Sequence, residues 1–396
     1  MKGAITAPLG FEAAGVAAGL KKEGLDVALL AAKRPVAAAA VFTTNRAQAA
    51  PVVVSREHLA GGRARAVVVN AGCANAATGE RGLGDARETA ELVAKGLGCA
   101  RSEVAVASTG VIGAYLPMAK LRPAIARAVT ALAREGGADA ARAIMTTDTR
   151  PKEALVEFSQ AGRTVRVGAM AKGSGMIAPH MATMLAFLTT DAAVEPALLQ
   201  QALREAVDTT INRVTVDGDT STNDTAIVLA SGEAGAPTIE RPGPDLDLLR
   251  KAVAEVCGRL AEMIIRDGEG MTRVAEVRVE GAGSVAEAER VGRTIAESPL
   301  VKTALYGGDA NWGRVLAAAG RSGVALDVSR VDIYLGDVWV AERGCVREYD
   351  ESLATAAFTR DTVLVRVNLN AGSAAASIWT CDLSHAYVDI NGSYRS

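Results

Sequence analysis

The sequence predicts a mixed α/β fold with a substantial antiparallel component. Apolar runs alternate with helical patterns along most of the 396 residues, and residues 154–158 and 164–167 alternate in polarity as an antiparallel pair does. The chain is also longer than the roughly 250–300 residues at which a single core stops growing. We therefore expect two domains, residues 1–283 and a smaller α/β domain at 284–396, where the pattern changes.

The individual elements follow from local patterns. An apolar run that stops at Gly72 predicts a buried strand, and an amphipathic segment closed by Gly98 predicts a helix with a glycine cap. A short strand is expected to run into a turn at residues 108–110. The predicted strands cover residues 64–71, 103–107, 154–158, 164–167 and 183–188, with one more between the last two helices and several after them. The predicted helices cover residues 88–97, 118–134, 195–207, 245–265, 285–296 and 312–319.

The charge balance and the cysteines exclude several classes of protein. Forty-three basic residues against 45 acidic ones leave a net charge of −2, whereas a nucleic-acid binder usually has a basic excess. The apolar runs fall short of the ~18 residues that a membrane-spanning helix needs. The five cysteines never occur as CxxC, which is unlike a disulfide framework or a zinc site. We expect a cytoplasmic protein with no metal, no membrane contact and no nucleic-acid partner.

One segment, residues 171–190, has a composition that chemistry could use. A glycine-rich loop with Lys172 leads into an apolar run that starts at Thr183. Threonine at the start of a buried strand is explained by β-propensity alone, and this is the simpler interpretation. The alternative is cleavage between Ala182 and Thr183. The threonine hydroxyl would then lie beside its own α-amine, a base with a reference pKa of ~7.7–8.0, and no histidine would be needed.

Eight motifs occur in order along nearly the whole chain and together carry a resemblance. They are TAPLGFEAAGVAAGLK, STGVIG, MTTDT, KGSGMIAPHMATMLAF, VDGDTSTND, IIRDGEG, YGGDANWGR and the terminal NGSYRS. With these motifs the sequence resembles the ornithine acetyltransferase family (glutamate N-acetyltransferase, the arginine-biosynthesis bifunctional enzyme). The resemblance implies a layered αββα-like core of the aminopeptidase/amidase-like N-terminal-nucleophile type. It also implies self-cleavage into an α chain, 1–182, and a β chain, 183–396, which assemble as α2β2.

The implied reaction moves an acetyl group from N2-acetyl-L-ornithine to L-glutamate through an acetyl-threonine intermediate. No cofactor is implied, and acetyl-CoA is a second donor to be tested. Carried over position by position, the resemblance makes Thr183 the nucleophile and Thr109 and Gly110 the oxyanion-stabilising pair. It also places the C-terminal tail at the site. The implied substrate contacts are Thr146, Lys172, Thr183, Glu269, Asn391 and Ser396, with Thr147 fitting as well as Thr146.

The residue types suit these roles, although each has an ordinary explanation as well. Lys172 is a suitable partner for the α-carboxylate that both substrates carry, and Glu269 could receive a substrate ammonium. Without the resemblance, Glu269 is an acidic residue in a glycine-rich turn, and Asn391 and Ser396 are tail residues.

Two other functions remain open at this stage. An aminopeptidase or amidase of the same nucleophile type would pass the acyl group to water, and a non-enzymatic ligand-binding protein would keep the pocket uncleaved. A mass measurement separates the uncleaved protein from the two enzymes.

Overall fold

The computed structural model describes residues 3–178 and 184–393, which fall into two units. The first unit is Met1–Asn212 with Asp219–Ile264, and the second is Arg213–Gly218 with Ile265–Ser396. Our sequence-based boundary at residue 283 lies after the strand Val274–Ala282. That strand pairs within the sheet of the second unit, which therefore begins earlier in the chain.

The described residues form strands and helices throughout the chain. The strands are β1 Phe11–Val16, β2 Val27–Phe42, β3 Arg63–Cys73, β4 Val104–Val111, β5 Lys152–Gln160, β6 Arg163–Lys172, β7 Leu185–Thr190, β8 Val214–Thr215, β9 Thr225–Ala230, β10 Val274–Ala282, β11 Asp332–Leu335, β12 Val338–Glu342, β13 Cys345–Val346, β14 Thr362–Asn368 and β15 Ala374–Cys381. The α-helices are α1 Ala50–His58, α2 Gly79–Leu97, α3 Met118–Thr130, α4 Gly137–Ala143, α5 Pro196–Thr209, α6 Pro244–Ile265, α7 Val285–Ala296, α8 Pro299–Gly307, α9 Trp312–Gly320, α10 Glu351–Phe358 and α11 His385–Gly392.

The sheet of the first unit has the order β4-β3-β2-β9-β7-β6-β5, with β1 paired to β2. The pairs β3/β4 and β7/β9 are parallel, and the other pairs are antiparallel. With 16 residues, β2 is long enough to pair with two strands along the edge opposite β3, and its pairing with β3 shifts register between Ala31 and Val36. Its first half pairs with β1 and its second half with β9.

Alternating positions of this sheet build two separate cores. In β2, Ala28 and Leu30 pack in a core that includes residues of α4. Val27 and Leu29, which point to the opposite face, pack in a second core with residues of α2 and α3. This two-residue period is the property of a strand that is buried on both faces. Many of the core side chains are alanine and valine, so the helices can approach the sheet closely.

The second unit has its own mixed sheet, in the order β13-β12-β11-β14-β10-β15-β8. β10 pairs in parallel with β14, and β15 with β8, while the remaining pairs are antiparallel. Helix α7 packs on β10 and β15. The side chain of Ser284 caps α7 by accepting a hydrogen bond of 3.2 Å from the backbone N–H of Glu287.

The mixed α/β class and most predicted elements are confirmed, and three expectations are wrong. The strand expected between α7 and α9 is helix α8, which begins at Pro299 and is capped at its C-terminal end by Gly308 in the left-handed conformation. Helices α10 and α11 lie where we expected strands alone. Residues 108–110 belong to β4 rather than to a turn, because β4 continues its pairing with β3 as far as Val111.

Candidate active site

The predicted oxyanion pair lies near the C-terminal end of β4. Thr109 and Gly110 are half-buried, and Gly110 pairs with Gly72 of the parallel strand β3. Gly110 has φ +127°, and a Cβ there would overlap the carbonyl carbon of Gly72 and lie 2.6 Å from the nitrogen of Cys73. A side chain at position 110 is therefore excluded both by backbone conformation and by space.

Two buried amides hold the backbone around this point. The side-chain amide of Asn70 donates to the carbonyl oxygen of Cys73 (2.8 Å), and its oxygen accepts from the hydroxyl of Ser108 (2.6 Å). The amide of Asn223 donates to the carbonyl oxygens of Ala74 (2.6 Å) and Ser108 (2.9 Å). Buried polar groups that are paired in this way define one backbone geometry, because any other arrangement leaves them unsatisfied.

Lys172, the last residue of β6, lies beside Thr109. Its side chain is buried, and its Nζ donates to Thr109 Oγ1 at 3.4 Å. In the antiparallel pair of β6 and β7, Lys172 is the partner of Leu185, two residues after Thr183 in the sequence. The structure thus brings Thr109 and Lys172 together, 63 residues apart in the chain.

A buried aspartate that we did not predict organises the surroundings of Lys172. Asp148 accepts hydrogen bonds from Lys152 Nζ (2.6 Å) and from the backbone N–H groups of Gly173 (2.7 Å) and Thr146 (3.0 Å). Both side chains of the Asp148–Lys152 pair are fully buried. Burial alone would raise the pKa of Asp148, but the charges of Lys172 and Lys152 outweigh it and lower that pKa to about 2.

The predicted contact at Thr146 is therefore fixed by a backbone hydrogen bond to Asp148. Thr146 and Thr147 are both half-buried, and the choice between them stays a prediction. Asp148 itself stands in the MTTDT motif that we used for the resemblance, and Asn223 stands in VDGDTSTND. Both were visible in the sequence, but the chain gives no local sign of which distant backbone groups they bind.

A second lysine reaches the same segment from the N-terminal part of the chain. Lys21 Nζ donates to the carbonyl oxygen of Met145, which precedes Thr146, at 3.0 Å. The pKa of Lys21 is lowered from its ordinary value. Burial is the main cause, the charge of Lys172 acts in the same direction, and the charges of Asp26 and Asp148 oppose it. Lys21 was not among the residues that we predicted.

In the second unit, two of the predicted substrate contacts bind each other. Glu269 is buried, and its Oε2 accepts a hydrogen bond of 2.8 Å from the side-chain amide of Asn391 in the last turn of α11. The same amide donates to the carbonyl oxygen of Tyr387 at 3.1 Å. Gly270 has φ +67°, and a Cβ there would overlap the backbone nitrogen of Tyr387, so α11 packs closely on the loop that carries Glu269.

Three predicted residues, Ala182, Thr183 and Ser396, lie outside the described residues. Within residues 3–178 and 184–393, no group of three or more His, Cys, Asp or Glu side chains is arranged to hold a metal ion. No helix in that part of the chain is both long and apolar enough to cross a membrane. The five cysteines are free thiols, and burial raises the pKa of the Cys257 thiol to about 12.

Comparison with known proteins relates this arrangement to one family. Residues 12–396 match the model of the ArgJ family. The chain is 51% identical to an arginine biosynthesis bifunctional protein ArgJ of Symbiobacterium thermophilum, over 100% of this chain and 99% of the relative. It is 48% identical to a protein of the same name from Caldanaerobacter subterraneus, again over 100% and 99%.

One solved structure supports the same assignment. The crystal structure of the arginine biosynthesis bifunctional protein argJ from Bacillus halodurans is 44% identical, with a TM-score of 0.51. The match covers 53% of this chain and 99% of that chain. The family model and the two full-length relatives show that this chain belongs to the ArgJ family.

Proposed function

We propose that the protein transfers an acetyl group from N2-acetyl-L-ornithine to L-glutamate through an ester on Thr183. Membership of the ArgJ family supports a role in arginine biosynthesis, since that is how the relatives are named. The observation that carries the proposal is the contact of Lys172 Nζ with Thr109 Oγ1 at the end of β4, beside Gly110. This contact brings a cation and a hydroxyl together next to a glycine with positive φ, and an oxyanion site for acyl transfer can use such groups.

The contact has a direct chemical consequence for the hydroxyl of Thr109. Because this oxygen accepts from the Lys172 ammonium, its own proton is directed elsewhere and is polarised by the charge. Such a donor can stabilise the negative oxygen of a tetrahedral intermediate. Each donor of this kind is typically worth about 2.7–4 kcal/mol in the transition state. We assign the backbone N–H of Gly110 as the second donor.

The reaction proceeds in two steps at one acyl centre. The α-amine of Thr183 takes the proton of its own hydroxyl, and the oxygen attacks the acetyl carbonyl of N-acetylornithine. The C–N bond then breaks and the proton passes to the departing amine. Ornithine is released, and the acetyl group stays on Thr183 as an ester. The amine of glutamate attacks this ester, the C–O bond breaks, and the proton returns to Thr183 as N-acetylglutamate leaves.

The remaining predicted residues bind the substrates. Lys172 receives the α-carboxylate, with Thr146 beside it. Glu269, held by Asn391, receives the side-chain ammonium of ornithine, since a buried carboxylate is stabilised by a cationic partner. Ser396 completes the set as a hydrogen-bonding contact from the C-terminal tail.

We also propose that the chain is cleaved between Ala182 and Thr183 and assembles as an α2β2 tetramer in the cytoplasm. The length of the solved Bacillus halodurans chain supports cleavage, because almost all of that chain corresponds to about half of this one. A division before Thr183 also leaves two pieces of about half the chain each. The N-terminal amine that the mechanism requires would be created by the same event.

The name "bifunctional" of the relatives supports a second activity. We propose that it uses acetyl-CoA as the donor to glutamate, with the same acetyl-Thr183 ester. The thiol of CoA would then leave in place of ornithine.

The test compares the purified protein with its Thr183→Ala variant. We expect wild type to give two chains by mass and to form N-acetylglutamate from glutamate and N-acetylornithine. The variant should give one chain and no product. Acetyl-CoA is supplied as donor in a parallel reaction. Release of acetate at the same rate with and without glutamate would show an amidase instead, and an uncleaved inactive wild type would show a binding protein.

A further inference from the structure

The substrate contacts assigned so far leave one group of glutamate without a partner. Both amino acids carry an α-carboxylate, and both must bind at the same acyl centre in turn. They differ at the end of the side chain, where ornithine has an ammonium and glutamate has a carboxylate. Lys172 is assigned to the shared α-carboxylate and Glu269 to the ammonium. None of the residues carried over from the family resemblance is a cation for the γ-carboxylate.

One contact of Lys21 and one of its neighbour Leu20 place this cation beside first-unit residues that are assigned to the site. Its Nζ donates to the carbonyl oxygen of Met145 at 3.0 Å, directly before Thr146. The charges of Asp148 and Lys172 also shift the pKa of Lys21, in opposite directions. The neighbouring residue Leu20 packs its backbone against Gly72, where a Cβ would lie 3.1 Å from the Leu20 carbonyl carbon, and Gly72 is the partner of Gly110.

Hydrogen bonds to a buried carboxylate fix the backbone of the loop that carries Lys21. The carboxylate of Asp26, which is fully buried, accepts hydrogen bonds from the backbone N–H groups of Ala18 (2.5 Å), Leu20 (2.6 Å) and Lys21 (3.1 Å). Three charge-assisted bonds to one carboxylate hold this short loop in a single conformation. A lysine on a fixed loop loses less conformational entropy when it binds a ligand than one on a mobile loop does.

The ammonium of Lys21 also has unused hydrogen-bonding capacity. An ammonium carries three N–H donors. In the part of the chain that the structure describes, Met145 is the acceptor for one of them. Lys21 is half-buried, so the remaining donors are in a position where a carboxylate would be bound more strongly than at a fully exposed site.

We propose that Lys21 binds the γ-carboxylate of glutamate and determines the preference for glutamate as the acetyl acceptor. This inference rests on the proposed function, because it concerns the second half of that reaction. Lys21 is then the counterpart of Glu269: one receives the anionic side chain of the acceptor, and the other receives the cationic side chain of the donor.

The test measures steady-state kinetics of the full-length protein with Lys21→Gln, which keeps much of the length and loses the charge. We expect KM for glutamate to rise roughly tenfold to hundredfold, the range for a lost hydrogen bond to a charged group. KM for N-acetylornithine should change less than about threefold. Glutamine replaces glutamate as acceptor in a parallel series, since it lacks the γ-carboxylate. The preference of wild type for glutamate over glutamine should largely disappear in the variant.

Two further variants separate binding from folding. Lys22→Gln removes the same charge from the exposed neighbour in the same loop and should keep wild-type constants. Lys21→Arg keeps the charge and should recover much of the preference for glutamate. An equal rise of KM for both amino acids, or an unchanged preference in Lys21→Gln, would overturn the inference. Absence of transfer in wild type would instead contradict the proposed function.

Discussion

Replacing Asp148 by asparagine should destabilise the first unit, because Asp148 is one half of a buried ion pair. The change keeps the size of the side chain but removes its charge, so the fully buried ammonium of Lys152 loses the carboxylate charge that it pairs with. One of the two carboxylate oxygens, which accepts from Lys152 Nζ (2.6 Å) and from the backbone N–H of Gly173 (2.7 Å), can become an NH₂ group that cannot accept. Breaking one side of a buried pair typically costs about 3–5 kcal/mol.

The pKa of Asp148 gives a second route to the magnitude. Its ordinary value is 3.8 and its value in the folded protein is about 2. A difference of nearly two pH units, at roughly 1.4 kcal/mol each, is about 2–3 kcal/mol. Because the folded-state pKa is depressed, this stability is present above about pH 4 and is lost as the pH falls towards 2, with about half gone at pH 3.

Thermal unfolding followed by circular dichroism tests both estimates. At roughly 2–4 °C per kcal/mol, Asp148→Asn should lower Tm by about 10 °C near neutral pH, and the gap to wild type should narrow at pH 3. Glu88→Gln is the matched control, because it breaks an exposed pair with Arg122 and should cost less than about 1 kcal/mol. A Tm shift no larger than that of the control, or a gap that does not change with pH, would refute this explanation.

The other predictions concern Thr109, Gly110 and Glu269. Thr109→Val should lower kcat with N-acetylornithine by on the order of 10²–10³ with little change in KM, since the hydroxyl acts mainly in the transition state; an unchanged kcat would remove Thr109 from the oxyanion site. Gly110→Ala should destabilise the protein more than Gly113→Ala does in chemical unfolding, because both glycines have positive φ but position 113 has open space around it. Glu269→Gln should raise KM for N-acetylornithine by roughly tenfold or more and KM for glutamate much less, and an equal effect on both would contradict its role as the ammonium partner.

Much of the fold could be predicted because its signals are local. The helix α7 has the same bounds in the sequence pattern and in the structure, since an amphipathic segment follows a serine cap. The antiparallel pair β5/β6 was also visible in the alternation of its residues. Helix α8 was missed because Pro299, which begins it, and Gly308, which caps its end, are equally typical of loops.

The candidate site was predictable in its residue types and less so in its contacts. The motifs indicated Thr109 and Lys172, and in the structure Lys172 Nζ lies 3.4 Å from Thr109 Oγ1. Asp148 was missed because its burial and its hydrogen bond from the backbone N–H of Gly173, 25 residues away in the chain, come from tertiary packing. Lys21 was missed for the same reason, since the carbonyl group that it binds is 124 residues away. No local pattern reports contacts over such distances.

The central claim is that the acetyl group passes through Thr183, and mass spectrometry tests it most directly. The protein is incubated with N-acetylornithine in the absence of glutamate, quenched in acid, and its chains are weighed and digested. We predict that the chain that begins at Thr183 gains the mass of one acetyl group, that the group maps to the Thr183 side chain, and that added glutamate removes it as N-acetylglutamate. Rapid transfer to glutamate by a protein whose Thr183 never carries an acetyl group would contradict the mechanism.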